Sequence, residues 1–246
     1  MAVLTLKGVS KHFQGRLIVN NITFQVEEGE LLALLGPTGC GKTTTLRMIA
    51  GLETPSRGEI WLNGKPASAN GKNLIPPATR HLGMVFQDLA LWPHIAVQGH
   101  VEFPISKRLN KQLRKERVEE ILHQFKLEDY RYRYPYTLSG GQQQLVALAR
   151  ALALNPRILL MDEPFSDLDV TIKEDMYKEL MGLQRELKIT ILYVTHDHQE
   201  AFLLAQRVAV MNEGKIEQIA TPEEIYLHPA SEFVAKFIRV TTFLKR

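Results

Sequence analysis

The sequence predicts an α/β fold with a predominantly parallel sheet, an antiparallel β subdomain and an inserted α-helical subdomain. Short alternating segments open the chain, and later apolar runs of buried-strand length are followed by helical patterns. Between about residues 87 and 154 the pattern turns helical. We therefore predict a single domain over residues 1–246, with the helical subdomain inserted at about 88–154.

The elements follow in order along the chain. Residues 3–9, 17–26 and 59–62 predict the antiparallel strands, and the Gly- and Pro-rich residues 64–79 predict a loop. Asn155-Pro156 ends the helical part, and strand–helix alternation resumes from Arg157 to about 211. A hairpin at Gly214 then joins residues 208–210 to 215–217, and two helices follow from about Pro222 and Ser231.

Residues 36–43, Gly-Pro-Thr-Gly-Cys-Gly-Lys-Thr, lie between an apolar run at 30–35 and a predicted helix at 43–50. Glycines at this turn permit backbone angles that let successive N–H groups surround a phosphate at the positive end of a helix. Lys42 adds a mobile charge for the β- and γ-phosphates, and Thr43 offers its hydroxyl to Mg²⁺. The predicted nucleotide-contacting residues are Gly36, Pro37, Thr38, Gly39, Cys40, Gly41, Lys42, Thr43 and Thr44.

Two carboxylates follow a second apolar run. Residues 158–161 predict a buried parallel strand, and Asp162 and Glu163 come at its C-terminal end, where ligands collect in open α/β sheets. Asp162 would hold Mg²⁺, directly or through water, and Glu163 could take a proton from attacking water. Taken alone, an Asp-Glu pair also suits the start of a solvated loop.

The string LSGGQ at residues 138–142 precedes a helix predicted at 142–154. Ser139, Gly140 and Gly141 would form a helix N-terminus with free N–H groups and a hydroxyl, which is a second anion site.

Two single residues have open interpretations. Phe13 lies in a polar stretch, where its ring could stack on a purine or serve ordinary packing. Cys40, the only cysteine, lies near a helix N-terminus and Lys42, which favour a reactive thiolate. We expect a maleimide to modify it readily, unless it merely fills a variable loop position.

Composition excludes several classes of protein. No apolar run approaches the roughly 18 to 20 residues that cross a bilayer, so membrane association would come through partners. A net charge of +3 is too small to indicate nucleic-acid binding. The basic residues at 107–117 alternate with Leu and Glu, which suits an exposed helix face. One cysteine fits a reducing compartment.

With LSGGQ between the phosphate loop and the acidic strand, the chain resembles the ATP-binding subunits of ATP-binding cassette transporters over residues 3–238. Further matches are Phe13 at the adenine-stacking position, Gln87 in VFQD, residues 166–169 (SDLD) and His196 in VTHD. The resemblance implies a P-loop NTPase core, ATP and Mg²⁺, and a head-to-tail homodimer in which the signature of one subunit faces the phosphate loop of the other. The signature residues are Ser139, Gly140, Gly141 and Gln142.

The resemblance also assigns roles at the site. His196 would contact the γ-phosphate and help to place the water and Glu163. The implied catalytic residues are Glu163, His196, Lys42 and Gln87, and the implied Mg²⁺ ligands are Thr43, Gln87 and Asp162.

VFQDLALWPHIAV and TPEEIYLHPASEFVAKFI resemble importer subunits for sugars, polyamines, ferric iron, sulfate or similar solutes. The resemblance implies a peripheral position on the cytoplasmic face of the inner membrane, transmembrane permease partners at about residues 88–103, and indirect action with an extracytoplasmic solute-binding protein. Leu89, Leu91 and Trp92 would contact the permease or fill the subdomain core. Many such importers continue into a β-rich regulatory domain, which we do not expect in this sequence.

Three positions depart from the family pattern: Leu145 replaces Arg, Asp167 replaces Ala, and Gly99-His100 replaces Glu-Asn. Two other functions remain open. A non-transport ATPase of this family, acting on nucleic acid or ribosomes, should carry a long coiled-coil insertion or a second cassette, and neither is present. A small-molecule kinase would share the phosphate loop but leave LSGGQ without a role.

Overall fold

The computed structural model describes residues 1–239, and residues 240–246 of the predicted single domain lie outside the described residues. The chain divides into two compact units. The first combines residues 1–80 with the chain from residue 183 onward, and the second spans residues 81–182. The insertion of a helical subdomain at 88–154 stays a prediction.

Strands and helices account for most of residues 1–239. The strands are β1 (Ala2–Phe13), β2 (Arg16–Glu27), β3 (Leu31–Leu35), β4 (Arg57–Leu62), β5 (Lys65–Ala69), β6 (Lys72–Asn73), β7 (Leu82–Val85), β8 (Ile158–Asp162), β9 (Thr190–Thr195), β10 (Arg207–Asn212) and β11 (Lys215–Ala220). The helices are α1 (Lys42–Ala50), α2 (Val97–Ile105), α3 (Lys111–Gln124), α4 (Gly140–Leu152), α5 (Val170–Leu187), α6 (His198–Leu204), α7 (Pro222–Leu227) and α8 (Glu232–Arg239).

The first unit contains the antiparallel sheet, with strand order β2-β1-β4-β5-β6. Leu6 of β1 pairs with Phe24 on one side and with Ile60 on the other, and all three side chains are buried. From Ile22 to Val26 of β2, buried and exposed side chains alternate, as the sequence pattern predicts for a sheet with one covered face.

The expected loop at residues 64–79 is wrong, because β5, β6 and a short 3₁₀ turn at Pro77–Thr79 occupy it. Asn70 and Gly71 both have positive φ, 52° and 72°, which is the geometry of a tight hairpin turn. Ala67 and Ser68 are fully buried despite being small. The Gly and Pro residues therefore mark the ends of short strands and not one long loop.

The first unit also contains the parallel strands, in the order β11-β10-β3-β9. β3 pairs in parallel with β10 and β9, and the hairpin at Gly214 adds β11 antiparallel to β10. Every residue of β3 and β9 is buried, as expected for parallel strands covered on both faces. Ala201, Ile225 and Val234 from α6, α7 and α8 pack on one side of this sheet.

The second unit contains the parallel pair β7 and β8, the helices α2 to α4, and α5 as far as residue 182. The helical pattern predicted from residue 87 begins only at Val97. Leu89 and Ala90 have left-handed backbones, with φ of 56° and 45°, and Pro93 follows, so the chain cannot continue as a right-handed helix there. Among the described residues, no helix has both the length and the apolar character that a membrane span requires.

Candidate functional site

The glycine-rich turn of the first unit has the geometry that a phosphate loop requires. It leaves the end of the fully buried β3 and enters α1, whose N-cap is Gly41. Gly39 and Gly41 have φ of 82° and 107°, in the region that residues with side chains rarely adopt. A Cβ on Gly36 would lie 2.2 Å from the Met211 carbonyl oxygen of β10, so only glycine fits against that strand.

Lys42 is buried and its ammonium is held within the loop. Its Nζ donates to the carbonyl oxygens of Gly36 and Pro37, at 2.8 and 3.1 Å. These two bonds satisfy the ammonium, because a buried charge must be hydrogen-bonded. Thr43 and Thr44 are half-buried in the first turn of α1, while Thr38 and Gly39 are exposed at the tip of the loop.

Cys40 is buried, and this corrects the expectation of a readily modified thiol. Its backbone N–H donates to the Pro37 carbonyl at 3.3 Å, and its own carbonyl accepts from the N–H of Gly214 at 3.0 Å. The hairpin turn between β10 and β11 thus fixes the phosphate loop from behind. The thiol lies beside Gly36, where an added Cβ would be 2.8 Å from the Cys40 Sγ.

Two further predicted residues lie in the first unit. Phe13 ends β1 with 40 % of its surface exposed, and the Lys11 ammonium lies 4.6 Å from its ring centre. His196 is exposed directly after β9. The side chain of Asp197 accepts from the N–H groups of Gln199 and Glu200 and so caps α6.

A buried carboxylate behind His196 escaped the sequence analysis. Glu200 is fully buried and its Oε2 accepts from the hydroxyls of Tyr193 and Thr195, at 2.9 and 2.7 Å. The Thr195 hydroxyl also accepts from the Asp197 N–H at 2.9 Å. The residues on either side of His196 are therefore fixed by one network. The sequence signals Glu200 only as an acidic residue in the first turn of α6, three residues after the capping residue Asp197.

In the second unit, the predicted acidic residues lie at the end of β8 as expected. Asp162 is the last residue of this fully buried strand, and Glu163 follows with a left-handed backbone, at φ 44°. A positive φ on a residue with a side chain is a feature that clusters at functional sites.

The signature residues begin α4 with a capping box. The Ser139 hydroxyl accepts from the Gln142 N–H at 3.3 Å, and the Gln142 side chain accepts from the Ser139 N–H at 3.0 Å. The cap therefore uses one of the N–H groups that we expected to be free for an anion. Gly140 and Gly141 are the first two residues of the helix, whose N–H groups have no partner within it.

The second unit brings three of the predicted elements together around a cavity of about 180 Å³. Gln87 lines it from the segment after β7, Gly140 from the start of α4, and Asp167 and Leu168 from the segment after Glu163. The Gln144 side chain also lines it and is fully buried. A larger cavity of about 680 Å³, lined by charged residues of α2 and α3, contains none of the predicted site residues.

The predicted magnesium ligands supply the right donor atoms. Thr43, Gln87 and Asp162 offer hydroxyl, amide and carboxylate oxygens, and Mg²⁺ prefers oxygen ligands. Within residues 1–239 no three His, Cys, Asp or Glu side chains gather as a metal cage. Mg²⁺ is usually held by one or two carboxylates together with substrate phosphates, and Asp162 is the carboxylate among the three predicted ligands.

Comparisons with known proteins agree with these features. A family model described as ABC transporter matches residues 19–166. The chain is 46 % identical over 244 residues to the spermidine/putrescine import ATP-binding protein PotA of Bacillus cereus, covering 99 % of this chain and 73 % of that protein.

Two solved structures are also similar. One is a dimeric bacterial ABC transporter cassette, with TM-score 0.77 and 32 % identity over 89 % of this chain and 98 % of that one. The other is cbiO1 from Clostridium perfringens, part of the cbiONQ ABC transporter complex, with TM-score 0.82 and 28 % identity over 99 % of this chain and 95 % of that one.

Proposed function

Since this chain belongs to the ABC transporter family, in which it is an ATP-binding ATPase, we propose that it works as a homodimer that powers an importer. Its partners would be transmembrane permease subunits, bound at about residues 88–103, and indirectly an extracytoplasmic solute-binding protein. It would lie at the cytoplasmic face of the inner membrane. The similarity to import ATP-binding proteins supports the direction of transport.

The observation that carries the proposal is the geometry of residues 36–43. Gly39 and Gly41 have positive φ, Gly36 packs closely on Met211, and α1 begins at Lys42, an arrangement that suits the binding of a phosphate at the point where α1 begins. The positive end of the helix dipole favours an anion at that point. We assign the phosphates of ATP to it, with Phe13 stacking on the adenine.

The chemical step needs charge stabilisation and an activated water. Lys42 would exchange its bonds with the Gly36 and Pro37 carbonyls for the β- and γ-phosphate oxygens. Thr43, Gln87 and Asp162 would hold Mg²⁺, which neutralises phosphate charge when bound. Glu163 would take a proton from the attacking water while His196 contacts the γ-phosphate and holds the water in line.

The signature residues would act in trans. The homodimer would have two such sites. At each one, the γ-phosphate bound by one subunit would face the signature of the other, formed by Ser139, Gly140, Gly141 and Gln142. The support from this chain is an exposed helix N-terminus, at Ser139 and Gly140, which suits an anion.

Hydrolysis by the purified chain tests the core of the proposal. We expect Mg-ATP hydrolysis that falls by about 10² to 10³ in Lys42→Ala, because the main charge on the phosphates is lost. The control is Lys65→Ala, which removes an exposed lysine of the same unit and should leave the rate unchanged. Equal rates in Lys42→Ala and the wild type contradict the assignment.

Transport is tested in a complex with transmembrane permease subunits. The complex, reconstituted in vesicles with its solute-binding protein, should accumulate solute only with ATP on the side of this chain. Spermidine and putrescine are the first solutes to test, because they are named for the Bacillus cereus relative. Stimulation by ribosomes or DNA, without stimulation by membrane subunits, would favour the non-transport alternative.

A further inference from the structure

The segment at residues 88–96, between β7 and α2, is held in a conformation that its own backbone does not favour. Leu89 and Ala90 are both left-handed, and neither is a residue that adopts this conformation easily. Such a pair persists only where surrounding groups hold it. Two side chains of the second unit do so, one from α4 and one from α2.

Arg150, near the C-terminal end of α4, holds the two left-handed residues directly. One terminal nitrogen of its guanidinium donates to the Leu89 carbonyl at 2.6 Å, and the other donates to the Ala90 carbonyl. The guanidinium also lies over the Trp92 ring, 5.7 Å from its centre. Its planar fork matches two successive carbonyls, which an ammonium cannot do.

His100, in the first turn of α2, holds the other end of the segment. Its ring is fully buried, and its Nε2 lies 2.9 Å from the Trp92 backbone nitrogen. Its Nδ1 lies 3.1 Å from the Ala96 carbonyl oxygen. The ring also stacks on Trp92, with centres 5.7 Å apart and planes 22° apart.

These partners determine the proton position on His100. The Trp92 N–H can only donate, so Nε2 must be unprotonated and accept. The Ala96 carbonyl can only accept, so Nδ1 carries the proton and donates. Only the neutral imidazole satisfies both contacts, because a protonated ring would point an N–H at another N–H.

We propose that Arg150 and His100 are positioning residues that hold residues 88–96 on the signature helix α4, and that proton uptake by His100 releases this hold. The inference rests on the proposed function, because the segment directly follows Gln87 and belongs to the surface assigned to the permease. Since Arg150 and the signature residues share α4, a displacement of the segment reaches the signature through one rigid helix.

The charges around His100 also favour the neutral ring. Burial lowers the pKa of His100, the Ala96 carbonyl opposes this, and the nearby Arg150 and His94 add to the lowering. Trp92, which stacks on the His100 ring, carries no charge, and neither does Phe103, which packs edge-on against Trp92. The ring therefore stays neutral at neutral pH and is protonated only as the pH falls below its ordinary value of 6.5.

Nuclear magnetic resonance of the full chain with ¹⁵N-labelled tryptophan tests the hold. The chain has two tryptophans, so the Trp61 backbone amide is an internal control. From about pH 7.5 to about pH 5, we expect the Trp92 amide shift to follow the His100 titration, with a midpoint below the ordinary histidine value. In His100→Gln the Trp92 amide should not titrate, and Trp61 should not respond in either protein.

The contribution of Arg150 is tested at neutral pH. Arg150→Lys keeps the charge but loses the fork, so the Trp92 amide should exchange with solvent at least about tenfold faster than in the wild type. The control Arg157→Lys changes an exposed arginine of the same unit and should leave the exchange rate unchanged. Where His100→Gln does not fold, His100→Asn replaces it.

Stimulation of ATP hydrolysis by the membrane subunits distinguishes a failure of this positioning role from a failure of the proposed function. With reconstituted membrane subunits, acidification should reduce their stimulation of hydrolysis in the wild type but not in His100→Gln, with each stimulated rate divided by the basal rate of the same isolated chain at the same pH. A chain that never hydrolyses ATP refutes the proposed function alone. A Trp92 amide that ignores the His100 titration, or normal exchange in Arg150→Lys, overturns the positioning role.

Discussion

Glu163 directly follows the buried strand β8, and its left-handed backbone ends the extended conformation of that strand. Its proposed role is to polarise water, which adds little to ATP affinity. Glu163→Gln should therefore lower turnover by about 10² to 10⁴ while ATP stays bound and the dimer persists. Phosphate release and equilibrium nucleotide binding measure the two effects.

The matched control for this change is Glu174→Gln, which removes an exposed carboxylate from α5 of the same unit. It should hydrolyse ATP as the wild type does. Wild-type turnover in Glu163→Gln would mean that another group is the base.

Cys40 gives a residue-scale test of the loop itself. Because its thiol is buried, maleimide labelling of the native protein should be slow compared with the unfolded chain, and Mg-ATP should slow it further. Mass spectrometry reports this site without ambiguity, since the chain has one cysteine. Labelling rates that do not change with saturating nucleotide would separate Cys40 from the phosphate site.

At the scale of elements, Arg80 binds the end of α1 to the antiparallel sheet. Its guanidinium donates to the carbonyls of Met48 and Ile49 at the C-terminal end of α1, and to Ser68 of β5 and Asn73 of β6. Burial lowers the pKa of Arg80 to about 10, so it is still charged at neutral pH. A Cβ on Gly51 would lie 2.5 Å from its Nε, so this glycine makes room for the contact.

Arg80→Met should therefore destabilise the protein strongly. It leaves several buried acceptors unpaired, and each unpaired group costs about 1 to 3 kcal/mol of unfolding free energy, so we expect a total loss of at least about 3 kcal/mol. Urea unfolding followed by circular dichroism measures it. Arg57→Met, at an exposed position of β4, should change stability little, and equal stability of both variants would show that Arg80 is not a structural link.

At the scale of the whole molecule, the proposed composite site predicts complementation between two inactive variants. Ser139→Arg should block hydrolysis by placing a bulky cation where the partner's γ-phosphate lies, while its own phosphate loop still binds nucleotide. Lys42→Ala has the opposite defect. In a mixed dimer one of the two sites keeps both halves intact, so the mixture should be more active than either variant alone.

The mixture must be shown to contain mixed dimers, for example with differently tagged subunits. Activity no higher than that of the separate variants, with mixed dimers present, would exclude a shared site. The change at Ser139 also removes the cap of α4, which costs about 1 kcal/mol, so Ser139→Ala serves as the stability control.

The stability of the molecule should also depend on pH through two histidines. Burial lowers the pKa of His100 and of His198, which packs on Phe237 with ring centres 4.3 Å apart. Below the ordinary value of 6.5 the unfolded chain binds these protons before the folded chain does, so stability falls as the pH drops through that window. It should level off only below the lowered values.

Thermal unfolding between about pH 8 and about pH 5 measures this dependence. His100→Gln and His198→Gln should each flatten the curve, and His94→Gln, at an exposed position, is the control variant. Curves of equal slope in all four proteins would contradict the assignment to the buried rings.

The fold class and most elements could be predicted because their signals are local. Alternation in β1 and β2, the apolar runs of β3, β8 and β9, and the hairpin at Gly214 lie within short windows of sequence. Residues 64–79 wrongly predict a loop because short strands with small residues carry little hydrophobic signal, and the Asn70-Gly71 turn between them adds to the loop-like composition. The helix expected from residue 87 gives way to contacts with Arg150 and His100, which come from other elements.

Residue types at fixed spacing in one stretch of chain were enough to predict the α/β class, which the structure confirms, and to predict the phosphate loop, the acidic strand end and the signature. The folded chain was needed to show that Gly36 must be glycine to pack against Met211, that loop carbonyls hold Lys42, and that the Cys40 thiol is buried. The buried acceptor Glu200 behind His196 likewise became visible only there. Burial and close approach involve residues that are distant in sequence, and no short window of sequence records which of them folding brings together.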